Sequence, residues 1–275
     1  MNKNPPFRLA DLRAAIKSSA PTHFFLFFLN IIVLPAFMIA LLLYTIAMPT
    51  IAFKLTSNLF LRDPQSSELG TKIIEQGIEL IDKLGFEEFT FKKLGAAIGS
   101  PEASIYRYFE NKHRLLLYLI DWYWTWLDYR IDFKNQNIKD PVERLRNSIH
   151  LLVEEKRIDP EVPFVDEQKL HRIVNSEFEK TYLTRQVDAD NKDGLFLPYK
   201  GLCKKIVGIV KEINPKYPFP HSLVSTVMLS ANHQMYYAQH LPSLTDIRKE
   251  SRKRHTELVD FLENLIVNTV SSKVK

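Results

Sequence analysis

Apolar positions fall into helical register at Leu69. Leu69, Ile73, Gly77, Leu80 and Leu84 share one face of a predicted helix. Gly85 ends it, where a left-handed cap strains glycine least. Thr90 is placed to cap a second helix over 91–98, and Gly99 supplies a tight turn. Ser100 then caps a third helix, Pro101–Tyr108, with Pro101 at its first position. Asn111 opens a long fourth helix to about Phe133, along which Leu115, Leu119, Trp122, Trp126, Tyr129 and Phe133 step by three or four. Further helices are predicted over 141–157, 164–175, 198–213, 222–240 and 245–269. "SEFE" from Ser176 has the form of a capping box, and 190–194 that of a turn. No sustained period-two alternation occurs, so the expected fold class is all-α.

A different pattern precedes this body. His23 to Phe53 contains no Lys, Arg, Asp or Glu, and residues 24–47 are apolar apart from Asn30 and Thr45. That run meets the length of about 20 residues for a membrane helix. Lys3, Arg8, Arg13 and Lys17 precede it, so the positive-inside rule keeps the N-terminus cytosolic and exports everything after the run. Split at Pro35, each arm is too short to cross as a helix. The expectation is that Met48 is the true start. Membrane attachment through residues 24–47, giving an inner-membrane-tethered protein, and a buried or interfacial helix are the alternatives not favoured.

Hydrophobic residues make up 45% of the 275 and charged residues 25%, enough for a sizeable core under a soluble surface. Cys203 is the single cysteine, which excludes an internal disulfide and a multi-cysteine metal site. His150 and Glu154 stand one helical turn apart without further ligands nearby, so no metal is expected. No nucleophile–base arrangement and no glycine-rich phosphate loop is present, so neither a cofactor nor an enzyme is expected. The net charge is +5, of which residues 1–47 carry +3 and residues 48–275 the remaining +2. Charge gathers locally instead. Residues 89–114 hold five Lys/Arg against Glu102 and Glu110, a net +3.

Two short helices joined by a tight turn have the geometry of a helix-turn-helix, whose second helix enters the major groove of DNA. Phe91, Leu94, Ile98 and Ile105 supply its small core. Lys92, Lys93, Ser104, Tyr106, Arg107, Tyr108 and Lys112 are left to face outward. The stretch "IIEQGIELIDKLGFEEFTFKKLGAAIGSPEASIYRYFENKHRLLLYLI" resembles the DNA-binding domain of tetracycline-repressor (TetR/AcrR) transcription regulators. The shared signs are Gly-Phe after the first helix, Thr opening the second, and Ile-Tyr-x-x-Phe-x-x-Lys across helices three and four. The resemblance covers about sixty residues, 67–127. It implies an all-α homodimer that binds an operator in double-stranded DNA, a variable C-terminal domain, and repression relieved by a small-molecule effector.

By that resemblance, Thr90, Lys93, Ser104, Tyr106, Tyr108 and Lys112 sit where phosphates are touched. Glu102, Ala103 and Arg107 sit where base edges are read. Arg107 can pair bidentately with guanine, and Glu102 can accept from a cytosine amine. Pro101-Glu102 departs from the small polar and basic pair common in the family. The expected organisation is an N-terminal extension, 1–47; a linker, 48–66; the DNA-binding domain, 67–127, with its motif at 89–108; and a regulatory and dimerisation domain, 128–270. Trp122, Trp126, Tyr129 and His150 are the candidate effector-pocket residues, facing an aromatic or lipid-like ligand. The last two helices are the candidate dimer interface, through Leu258, Phe261, Leu262, Leu265 and Ile266. The expected location is the cytoplasm, at the nucleoid.

Overall fold

Local capping sets most helix starts in the computed structural model, which describes residues 51–248 and 253–271. All of these belong to the unit Ile51–Lys275. The Ser67 side chain accepts from Gly70 N–H and opens α1, Glu68–Leu84. Thr90 accepts from Lys93 N–H to open α2, Phe91–Ile98, and Gly99 closes it in the left-handed region at φ 65°. After α3, Glu102–Ile105, the Asn111 side chain accepts from Arg114 N–H to open α4, Lys112–Asn135. Asp140 and Asp166 cap α5, Pro141–Val153, and α6, Glu167–Ser176. Two short helices follow, α7, Phe178–Tyr182, and α8, Val187–Lys192. The chain ends in α9, Leu197–Ile213, α10, Pro220–His240, and α11, Arg254–Ser271.

The middle of the body is α4. Every residue from Leu115 to Trp124 is buried, so this helix is enclosed on all sides instead of along one stripe. It packs on α5, α6 and α9, while α10 and α11 lie against each other and against α5. The three-helix unit α1 to α3 rests on α6 through α1.

Several expectations are corrected. The buried face of α1 is Gly70, Ile73, Ile74, Gly77, Ile78 and Ile81, and Leu84 is exposed. The two small residues allow the close approaches: a Cβ on Gly70 would meet the Pro64 oxygen at 2.2 Å, and one on Gly77 would touch Leu115. Pro101, not Ser100, is the cap of α3, which has a single regular turn before looser backbone through Tyr108. Ser176 is the last residue of α6 and not the opening of the next helix, its hydroxyl donating back to the Ile173 carbonyl. The turn expected over 190–194 is the end of α8 followed by Gly194 at φ 80°. The last helix is Arg254–Ser271, starting later than the expected 245, and Pro242–Leu244 forms a 3-10 turn. Residues 24–47 and Met48 lie outside the described residues, as do 249–252 of the basic run. Among the described residues no helix is long and apolar enough to cross a membrane.

Asp121 is buried in this arrangement on α4. Its Oδ2 has no partner among the described residues. Burial raises its carboxyl from 3.8 to about 8. The folded state therefore holds a proton that the unfolded chain has already released. The resulting stabilisation is complete below the unfolded value and is lost as pH rises through about 8. Asp121→Asn cannot titrate. Thermal melts of both proteins between about pH 4 and about pH 9 should show the variant gaining on the parent as pH rises, by up to a few kcal/mol. A difference that stays flat over that range contradicts the assignment.

Candidate nucleic-acid interface

Phe91, Leu94 and Ile105 are buried between α1, α2 and α3 and fix the angle of the two-helix unit. Gly95 lets the turn close: Ser100 N–H donates to its carbonyl at 2.9 Å, and an added Cβ would stand 2.7 Å from the Ser100 oxygen. This brings Ala103, Tyr106 and Arg107 to the outside, with Glu102 and Ser104 half-buried beside them. Arg107 enters no ion pair among the described residues, and neither does exposed Lys92. The Tyr106 hydroxyl lies 3.3 Å from a Glu102 oxygen, and its ring meets Phe91 edge-on while remaining 46% exposed. Thr90 is exposed, but its oxygen already accepts from Lys93 N–H, leaving its own proton to donate. Lys93 bonds the Glu88 carbonyl at 2.6 Å and lies 3.5 Å from the Glu88 carboxylate.

Two residues expected outside are not free. Tyr108 is 2% exposed, with its hydroxyl 2.8 Å from Ser67 Oγ and its ring under the Arg62 guanidinium. Lys112 Nζ donates to the carbonyls of Phe86, Glu87 and Phe89 at 3.0–3.2 Å. Those contacts match its three N–H groups, so it ties the start of α4 to the turn before α2 and offers a phosphate charge alone. Arg62, which no motif in the sequence singles out, is exposed beside Tyr108 at the end of the turn that follows α3. No local signal marks it, since the contact needs the chain to fold back across the motif.

The proposed pocket residues divide. Trp126 and His150 line a cleft of about 650 Å³ with Arg130, Glu154, Asp159 and His255. Trp122 and Tyr129 instead pack against Phe53. Arg130 lies over the Trp126 ring and donates to Glu154 at 2.7 Å, and Glu154 is also 3.5 Å from His150. The His150–Glu154 pair therefore belongs to an arginine-centred network. Among the described residues no cluster of three metal-ligating side chains occurs. An adjoining cleft of about 540 Å³ shares Glu155 and His255 and reaches Ile81, Asp82 and Gly85 at the end of α1. Buried Lys156 caps the end of α5 through the Leu151 and Leu152 carbonyls, and burial lowers its pKa to about 7. Trp126, Ile158, Pro160 and Val259 share the wall of the first cleft with its charged and polar side chains, so apolar and polar surface are mixed there.

Residues 73–119 match the model of the tetR family of bacterial regulatory proteins. They form a tetR-family domain. The match spans α1 to the start of α4, the elements that carry the capped turn and Arg107. No curated protein sequence is similar enough to the chain to match it. Two solved structures share the fold over most of the chain. AibR, in complex with isovaleryl coenzyme A and operator DNA, is 16% identical with a TM-score of 0.51, covering 70% of this chain and 95% of its own. A bacterial regulatory protein in the tetR family from Rhodococcus RHA1 is 13% identical with a TM-score of 0.51, covering 73% and 97%. The all-α fold thus extends beyond the tetR-family domain into the body behind it.

Proposed function

We propose that the chain is a sequence-specific, DNA-binding transcription regulator, a repressor released by a small molecule, that works as a dimer in the cytoplasm at the nucleoid. The observation that carries this reading is exposed Arg107, without an ion pair among the described residues, in the turn that follows α3, with exposed Ala103 on α3 and a buried two-helix core bracing both. A guanidinium free of protein partners retains its paired N–H groups for the O6 and N7 of a guanine. Ala103 suits a thymine methyl, and Glu102 a cytosine amine. Thr90, Lys93, Ser104 and Tyr106 are the proposed phosphate donors, with Lys92 and Arg62 adding charge. Tyr108 and Lys112 support this surface from within.

The domain division proposed is 67–127 for DNA and 128–270 for regulation and dimerisation. The cleft under Trp126 and His150 is the proposed ligand site. Around the Trp126 ring it sets Arg130 and Arg157 against Glu154, Glu155 and Asp159, a lining that suits a ligand with an apolar body and polar groups of both signs. AibR in its complex holds both a small molecule and operator DNA, the same two kinds of partner proposed here.

The experiment is selection from a random duplex library, followed by affinity measurement on the enriched sequence. Arg107→Ala should weaken binding to that sequence by about 1–3 kcal/mol and relax preference at one base pair of each half-site. Binding to unrelated DNA should change little. Equal affinity of parent and variant for the enriched sequence contradicts the role of Arg107.

A further inference from the structure

Residues 51–67 lie where the sequence suggests a plain linker, yet they touch both halves of the molecule. At one end Ile51 N–H donates to the Glu161 carbonyl at 3.0 Å. The Phe53 ring meets the edges of Trp122 and Tyr129 on α4, with centroids 5.3 and 5.8 Å apart. Asn58 Nδ2 donates to the Asp193 carbonyl at 3.1 Å, and Leu59 is buried. At the other end Leu61 N–H donates to the Tyr108 carbonyl at 2.8 Å, Arg62 covers the Tyr108 ring, and Ser67 bonds the Tyr108 hydroxyl. Gln65 closes the segment on itself. Its Oε1 accepts from Phe53 N–H at 3.2 Å and its Nε2 donates to the Phe53 carbonyl at 2.8 Å.

We infer that residues 51–67 are a strap that positions the reading segment against the regulatory body, with Tyr108 as the positioning residue at its DNA end. Tyr108 follows Arg107 directly and is held at its carbonyl, ring and hydroxyl by three different strap residues. Holding one residue at three points fixes both the position and the rotation of the backbone that presents Arg107. The far end of the strap is fastened to α4 through Trp122 and Tyr129 and to the loops at Glu161 and Asp193. A change in the body at those points is therefore passed to Arg107 by a route other than α4 itself. Pro64 wedged against Gly70 leaves the strap no slack where it enters α1. The inference rests on the DNA-reading role proposed above, but the contacts that motivate it do not.

The test uses Phe53→Ala and the milder Gln65→Ala, neither of them among the residues proposed to touch DNA. Phe53→Leu, which keeps the apolar bulk, serves as the conservative control. Hydrogen exchange is followed at amides 102–109 and at amides 115–124 of α4. The ratio of affinities for the selected duplex and an unrelated duplex is measured in parallel. Phe53→Ala should speed exchange at 102–109 by about tenfold, equivalent to about 1.4 kcal/mol, leave 115–124 protected, and lower the affinity ratio. Phe53→Leu should restore both. Should Phe53→Ala unfold the whole unit, Gln65→Ala carries the same readouts. If amides 51–65 exchange freely in a variant while 102–109 and the affinity ratio stay at parent values, the inference is overturned. If the parent protein enriches no DNA sequence, the regulator proposal fails, and exchange at 102–109 alone decides the strap.

Discussion

Gly95→Val is expected to abolish sequence-specific DNA binding while the body from α4 onward stays folded. The Cβ of any side chain at this position stands 2.7 Å from the Ser100 oxygen and 3.3 Å from Glu102 N. Both neighbours are backbone, so no side chain can swing aside. The turn between α2 and α3 must open, and the bond from Ser100 N–H to the Gly95 carbonyl is lost. Valine adds a branched side chain to the clash and holds the two helices apart. Arg107 and Ala103 then meet the groove at the wrong angle. The specific part of DNA affinity, typically about 4–10 kcal/mol over non-specific binding, is what disappears. Circular dichroism should retain most of the helical signal, since α2 and α3 are short and pack mainly on α1 and on each other. A valine variant with parent affinity for the selected duplex would show that the close turn does not set the reading geometry.

The second large effect is expected from Phe261→Glu, which tests the proposed dimer. Leu258, Leu262 and Ile266 on α11 are buried within one chain, so charge placed at Leu262 would disrupt the protomer and report nothing about a partner. This corrects the expectation that all five apolar residues of α11 face the interface. Phe261 is 45% exposed, and with exposed Leu244 it borders a hollow of about 520 Å³. That pairing of an apolar knob and a hollow suits a self-complementary contact between two copies. Phe261→Glu should leave the melting temperature nearly unchanged and convert a dimer to monomers in sedimentation. A monomer grips one half-site, so affinity for a two-half-site duplex should fall by about a hundredfold or more. A variant that remains dimeric moves the interface elsewhere, and a parent protein monomeric at micromolar concentration removes it.

What the sequence made legible was local. Thr90, Gly99 and Asn111 act where their spacing placed them, because a cap or a left-handed turn is decided within a few residues. The long α4 and the buried Phe91, Leu94 and Ile105 were equally plain from helical period. What stayed hidden depended on distant partners. Tyr108 reads as an outward tyrosine until Ser67, 41 residues earlier, reaches its hydroxyl. Lys112 reads as a phosphate donor until the chain brings three carbonyls, 23 to 26 residues back, around its ammonium group. The buried face of α1 differs from the one expected because Leu69, Leu80 and Leu84 are as apolar as Ile74, Ile78 and Ile81, and the close approach of Pro64 to Gly70, a distant contact, favours the second set. Along α4, period alone picked one stripe, whereas Tyr118, Tyr123 and Trp124 are buried on the others. The candidate ligand cleft was half legible. Trp126 and His150 reach it, but Arg130 and His255 come together only through packing.

Selection from a random duplex library tests most directly the central claim that α3 and the turn after it, which carries Arg107, read base sequence in duplex DNA. The parent protein should enrich one motif, made of two inverted half-sites about 34–36 Å apart, one helical turn, or a multiple of that distance. Arg107→Ala, folded to the same melting temperature, should lose preference at matching positions in both halves. A folded parent protein that enriches no sequence at low salt, or one whose enriched motif is unchanged by Arg107→Ala, would contradict the account.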